Sequence, residues 1–151
     1  MTSNLTTGVD IIEIPRIARV LEQYGQRFLR RIYTPGEIEY CRERPPNLAG
    51  RFAAKEATMK ALGTGVRGVA WKDIEVIRAP SGAPSIRLHG RARARAERLG
   101  VQEISLSMSH SREYAVAFVV TQCAPSPSSD STKLPDSGQA SPLSGGEAAQ
   151  R

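Results

Sequence analysis

The run Arg51-Phe52-Ala53-Ala54-Lys55-Glu56-Ala57-Thr58-Met59-Lys60 constrains the fold more than any other stretch of the chain. At about 100° per residue, a helix places Phe52 beside Met59 and spreads Ala53, Ala54, Ala57 and Ala61 over a small-residue flank. Glu56 and Lys60 fall between these two apolar groups, while Arg51, Lys55 and Thr58 lie on roughly the opposite side. A helix against one core has one solvent face, yet this one carries two polar stripes. Glu56 and Lys60 are either a surface i, i+4 pair worth about 0.2–0.5 kcal/mol, or a carboxylate and an ammonium held at the edge of the core, where an anion or a metal must satisfy them. Spacing leaves both readings open.

The elements around this helix define an α+β class with an antiparallel sheet. Leu5 to Ile12 is β-branched and apolar and reads as a strand containing Asp10. Pro15 opens a helix with Ile17, Val20, Leu21 and Tyr24 on one face and Arg16, Arg19 and Gln23 on another. Thr34, Pro35 and Glu37 form a capping-box start for a short helix that ends before Pro45-Pro46. Asn47 can cap the central helix, which runs to about Leu62 and stops at the Gly63-Thr64-Gly65 turn. Ile74 to Arg78 and Ser85 to Leu88 flank a Ser81-Gly82 turn as a hairpin. Arg91 to Leu99 is a short helix closed by Gly100. Ile104, Leu106 and Met108 alternate with Ser105, Ser107 and Ser109, giving a strand with one buried face. Tyr114 to Thr121 is its partner, and His110 sits at the tip or base of the connecting turn.

Apolar residues are 40% and charged residues 24% of the 151 positions. That composition suits one folded domain, assigned to residues 1–122, and excludes a membrane-spanning apolar stretch. Residues 123–151, dominated by Ser, Pro and Gly, read as a disordered tail. Met1 to Gly8 carries neither a basic leader nor an apolar run, so the expected compartment is the cytoplasm. Cys41 and Cys123 form no Cys-x-x-Cys spacing and are read as free thiols. The formal net charge is +6. The tail contributes −1, leaving about +7 on residues 1–122, a surface suited to acidic partners.

Candidate chemistry rests on few side chains. Mg²⁺ takes one or two protein carboxylates and completes its octahedron with water and substrate phosphates. Asp10 and Glu56 meet that minimum, with Lys60 as a point charge for a phosphate oxygen; an ordinary strand-end acid is the alternative for Asp10. His110 is either a hydrogen-bonded turn histidine or a functional one. Arg91, Arg95 and Arg98 share a helix face, which keeps a small basic nucleic-acid-binding module as the alternative function. Against it stand the lack of a Gly-rich phosphate loop and an aromatic content of only 5%, which leaves little for base stacking.

Gly8-Val9-Asp10, Arg51 to Ala57 with Lys60, and Ser107-Met108-Ser109-His110-Ser111 together resemble the three motifs of the bacterial holo-acyl-carrier-protein synthases, the small 4'-phosphopantetheinyl transferases, over residues 5 to 121. The resemblance implies that Asp10 and Glu56 bind Mg²⁺ with the diphosphate of coenzyme A. It also implies that Glu56, directly or through a metal-bound water, is the candidate base, that Lys60 offsets developing charge, and that Arg51, the Gly82 to Pro84 turn and His110 hold the nucleotide. The reaction implied moves 4'-phosphopantetheine to a serine of an acyl carrier protein and releases adenosine 3',5'-bisphosphate. A homotrimer is implied as well, with each site shared between a metal side from one chain and His110 from its neighbour. The acidic carrier protein is expected to dock on the basic edge formed by Arg16 and Arg19, extended by Arg27.

Overall fold

The computed structural model describes residues 4–125. Its elements run β1 (Leu5–Glu13), α1 (Ile14–Tyr24), α2 (Gln26–Ile32), α3 (Pro35–Cys41), α4 (Pro45–Leu62), α5 (Gly65–Gly68), a 3-10 turn at Trp71–Asp73, β2 (Ile74–Arg78), β3 (Pro84–Leu88), α6 (Gly90–Leu99), β4 (Val101–His110) and β5 (Tyr114–Cys123). An antiparallel sheet has the order β1-β5-β4, and β2 and β3 form a separate hairpin. This is the expected α+β class. Among the described residues no helix is long and apolar enough to cross a membrane.

The central helix α4 lies across β1 and β5 because both surfaces are cut down to fit. Ala53, Ala54, Ala57 and Ala61 are all buried, and Gly8 faces them from β1. A Cβ on Gly8 would fall 1.8 Å from the Ala57 carbonyl oxygen, so only glycine lets the two backbones approach this closely. Strand side chains alternate. Gly8, Asp10 and Ile12 therefore point to α4, while Val9 and Ile11 are exposed on the other face. The same alternation directs Ala115, Ala117 and Val119 of β5 into the core. Phe52 of α4 stacks on Trp71 with ring centroids 4.7 Å apart, and Trp71 packs against both of the buried apolar clusters.

The second polar stripe of α4 is internal. Arg51, Lys55 and Thr58 are all buried, Lys55 with no exposed surface. The Lys55 ammonium donates to Glu37 Oε1 at 2.7 Å, to the Trp71 carbonyl at 3.2 Å and to the Ile74 carbonyl. Glu37 also accepts from Thr34 N at 3.0 Å, closing the expected capping box, and from Val76 N at 3.2 Å. One buried ion pair thus ties α3, α4 and β2 together, with the Lys55 ammonium and the Glu37 carboxylate both partnered as burial requires.

The boundaries differ from expectation where backbone context outweighs side-chain signals. Helix α4 begins at Pro45 behind Arg44, not behind an Asn47 cap: Pro45 and Pro46 sit in the first turn, where a missing N–H costs nothing. Residues 26–32 form a further helix, with no side-chain cap to announce it. Strand β4 starts at Val101, after which the register shifts by Glu103. It ends on His110, paired with Ala115, which puts that histidine at the base of the turn. Tyr24, expected on the buried face of α1, is 50% exposed. Strand β5 runs through Cys123, and Ala124 N bonds the Gly100 carbonyl, so ordered pairing passes the expected domain end by two residues. The rest of the assigned tail, from residue 126 on, lies outside the described residues. The two cysteines are free thiols, as expected.

Candidate active site

The close packing of β1 on α4 brings Asp10, Glu56 and Lys60 together. Lys60 Nζ donates to the Val9 carbonyl at 2.8 Å and to Asp10 Oδ1 at 3.2 Å. Its ion pair is therefore with the strand and not with Glu56 on its own helix. Asp10 Oδ2 is buried and, with both carboxyls ionised, has no hydrogen-bond donor. The Glu56 carboxyl is pushed up to about 7, first by burial and then by hydrogen bonding to Asp10 and by the charge of Asp10, against the opposing pull of Lys60 and Arg16. Two carboxylates are thus pressed together with too little positive charge between them, and either a shared proton or a cation completes the set. A hard divalent cation fits this donor set: two carboxylates with an orphaned oxygen suit Mg²⁺. Among the described residues no third His, Cys, Asp or Glu joins them, so the remaining ligands must come from water or from a bound phosphate. The pair opens on a cavity of about 330 Å³ lined by Arg16, Ile17, Phe28, Phe52 and Tyr114.

A second cavity of about 250 Å³ gathers Tyr40, Arg51, Arg78, Pro84, Ser109 and His110. It joins three of the four residues expected to hold a nucleotide. The fourth, Gly82, does not line it, but its carbonyl accepts from Arg78 Nη1 at 3.3 Å, and its φ of 86° explains the glycine in this turn. Arg51 is 6% exposed and its Nε has no hydrogen-bond partner. Among the described residues neither Arg51 nor Arg78 has a carboxylate within ion-pair distance. A buried guanidinium beside an exposed one, neither neutralised by a carboxylate, is an anion site. Tyr40 and Arg78 belong to none of the three motifs; Arg78 is marked in the sequence only by preceding the Gly82 turn.

The other singled-out residues lie elsewhere. Arg16, Arg19 and Arg27 are exposed along α1 and α2. Arg91, Arg95 and Arg98 do share a groove with Thr64, but Arg95 Nε is spent on the Leu62 carbonyl at the end of α4, at 3.0 Å, and Arg93 pairs with Glu97.

Residues 6–119 match the family model of the 4'-phosphopantetheinyl transferase superfamily. Two relatives, both holo-[acyl-carrier-protein] synthases, are similar over most of their length. That of Koribacter versatilis is 52% identical over 122 residues, covering 78% of this chain and 98% of the relative. That of Gloeobacter violaceus is 55% identical over 116 residues, covering 74% and 88%. Among solved structures, the Helicobacter pylori holo-[acyl-carrier-protein] synthase in complex with coenzyme A superposes with a TM-score of 0.70 at 34% identity, over 77% of this chain and 99% of that one. The Bacillus anthracis holo-(acyl-carrier-protein) synthase in complex with CoA (3',5'-ADP) gives 0.65 at 36% identity, over 79% and 96%. Motif order, fold and likeness over nearly the whole length of these proteins agree, and the chain belongs to the 4'-phosphopantetheinyl transferase superfamily, among the holo-[acyl-carrier-protein] synthases.

Proposed function

We propose that this chain transfers the 4'-phosphopantetheine arm of coenzyme A to a serine of an apo acyl carrier protein, in the cytoplasm and with Mg²⁺ held by Asp10 and Glu56. The observation that carries the reading is the buried Asp10 Oδ2 without a partner, beside a Glu56 carboxyl raised to about 7. When bound, the metal supplies neutralising charge at the diphosphate. The carrier serine oxygen bonds to the phosphorus that carries pantetheine, and the bond from that phosphorus to the departing adenosine 3',5'-bisphosphate breaks. The serine proton passes to Glu56, directly or through a bound water. Lys60, already fixed at the Val9 carbonyl, offsets charge that develops on the phosphoryl oxygens. Arg51, His110 and the turn from Gly82 to Pro84 hold the nucleotide.

Two assembly features support this reading. Arg16 lines the cavity at the carboxylate pair, and it begins the exposed Arg16, Arg19, Arg27 edge on which an acidic carrier would dock. The outer face of the sheet carries exposed Val9, Ile11, Tyr114 and Phe118, with Val9 directly opposite Phe118. Such a contiguous apolar face suits burial between copies, and we assign it to a homotrimer. The reaction is tested by incubating apo carrier proteins with coenzyme A, Mg²⁺ and this protein, and weighing the carrier by mass spectrometry. The intact carrier should gain the phosphopantetheine mass; a carrier left unmodified would sink the proposal.

A further inference from the structure

Tyr40 meets more cations than any other aromatic residue among those described. Arg51 lies 4.1 Å and Arg78 4.8 Å from its ring centroid, within the range of a cation–π contact. Arg44 is farther, at 5.9 Å, and its donors are committed to the Cys41 carbonyl at 2.9 Å and the Tyr40 carbonyl at 2.8 Å. The origin of the arrangement lies one helical turn away, in the buried junction of Glu37, Lys55 and Val76. Tyr40 is three residues after Glu37 on α3, Arg51 four residues before Lys55 on α4, and Arg78 two residues after Val76 on β2. Each spacing returns to the same face of its element. The buried ion pair that joins the three elements therefore also stacks Tyr40, Arg51 and Arg78 at their rim, where they line the second cavity.

Two adjacent guanidinium groups repel and need a restraint. A carboxylate would hold them but would also cancel the charge that an anion needs. A ring face holds them through its quadrupole and leaves their charge uncancelled, with Arg78 giving only Nη1 to the Gly82 carbonyl. We propose that Tyr40 is a positioning residue, fixing Arg51 and Arg78 so that both address the ribose 3'-phosphate of coenzyme A and thereby setting selectivity for coenzyme A over its 3'-dephospho form. The assignment rests on the reaction proposed above.

The test compares Tyr40→Leu, which removes the ring, with Tyr40→Phe, which keeps it. Tyr40→Leu raises KM for coenzyme A about 5- to 30-fold, the range of one to two cation–π contacts. It leaves kcat and the KM for dephospho-coenzyme A within about twofold, because the second donor lacks the group being held. Tyr40→Phe behaves as wild type. An equal KM rise for both donors, no rise at all, or a Tyr40→Phe form as impaired as Tyr40→Leu would overturn the assignment. Thermal melts of a second truncation, Tyr40→Gln, read the same grip without catalysis. Adenosine 3',5'-bisphosphate should stabilise the wild type more than adenosine 5'-monophosphate does, and that preference should vanish in Tyr40→Gln and survive in Tyr40→Phe. A preference retained in Tyr40→Gln refutes the clamp. A wild type that transfers nothing from coenzyme A refutes the reaction, while the two-nucleotide melts still judge Tyr40.

Discussion

Lys60 Nζ lies 3.2 Å from Asp10 Oδ1, so the ammonium of the central helix neutralises one oxygen of the strand carboxylate and leaves the other, Oδ2, buried and unpaired. The asymmetry gives Asp10 and Glu56 a joint demand for one more positive charge. Asp10→Ala and Glu56→Ala should each cost roughly a hundredfold or more in transfer, the scale of removing a preorganised electrostatic group. Both should stay folded, since each removes one member of a strained like-charge pair. Carrier modification and circular-dichroism melts check the two halves of this expectation; near-normal transfer at limiting Mg²⁺ in either variant would remove the metal assignment.

The same pair predicts a pH dependence with a definite sign. Glu56 has a folded-state value of about 7, above its ordinary 4.5, so without metal the folded form binds the proton more tightly than the unfolded chain. That stabilising contribution is complete below about 4.5, declines as pH rises, and is gone above about 7. A divalent cation competes with the same proton. Mg²⁺ should therefore raise the melting temperature more at pH 8 than at pH 6, with the change centred near 7. In Glu56→Gln the difference between the two pH values should disappear. A Mg²⁺ effect of equal size at both pH values in the wild type would contradict it.

Lys55 sits in the same motif as Glu56 and has a different task. It is fully buried and bonded to Glu37 and two backbone carbonyls. Lys55→Met should destabilise the fold by about 3–5 kcal/mol, because Glu37 is left buried without its counter-charge. Adding Glu37→Gln should recover part of that loss, since a neutral amide costs less to bury alone. Chemical denaturation of the three variants measures both terms; additive losses in the double variant would show that the two side chains do not act as a pair.

Docking of an acidic partner on the Arg16, Arg19, Arg27 edge has a kinetic signature. These side chains are exposed, so they act through screened, long-range attraction more than through tight contacts. Charge reversal at Arg19 and Arg27 should raise KM for the carrier protein several-fold and flatten its dependence on ionic strength, with KM for coenzyme A unmoved. An unchanged salt profile would move the docking surface elsewhere.

The sequence made α4 legible because its alanine flank and paired stripes demand a helix in contact with something close, and Gly8 is the complement. The chemistry of Mg²⁺ made Asp10, Glu56 and Lys60 legible as a candidate group, but a strand acid and a helix acid 46 residues apart carry no spacing signal, and only the resemblance chose that reading over an ordinary strand-end acid and a surface pair. The role of Lys55 was hidden for a related reason. A polar stripe on a helix reads as solvent-facing until a buried partner such as Glu37 is in view, and Glu37 had already been accounted for as a cap. Tyr40 and Arg78 were invisible because their relation to Arg51 is produced by the packing of three elements, which no local pattern encodes. The Asn47 cap failed because proline at the first turn competes with side-chain capping as a start signal, and here Pro45 prevails.

The arrangement of α4 itself argues for sites shared between chains. Arg51 and Glu56 are five residues apart, which on an α-helix is about 140° of rotation, and they accordingly open into two different cavities. Within one chain, a donor whose diphosphate rests at Asp10 and Glu56 would have to pass around the helix to place its nucleotide against Arg51 and His110. Pairing the carboxylate side of one protomer with the nucleotide side of its neighbour would remove that detour, and the exposed Val9, Ile11 and Phe118 face is an apolar surface suited to such a contact. An Asp10→Ala chain keeps its nucleotide side, and a His110→Ala chain keeps its carboxylate side. Each homogeneous oligomer should be strongly impaired. Co-refolding the two in equal amounts should restore roughly a quarter of the sites, the share in which an intact carboxylate side meets an intact nucleotide side in a cyclic assembly. Transfer assays on mixed oligomers, with their composition verified by native mass spectrometry, measure this directly. Recovery absent from verified mixtures would mean that one chain builds the whole site, and the donor would then have to bind in a geometry that brings both cavities onto one side of α4.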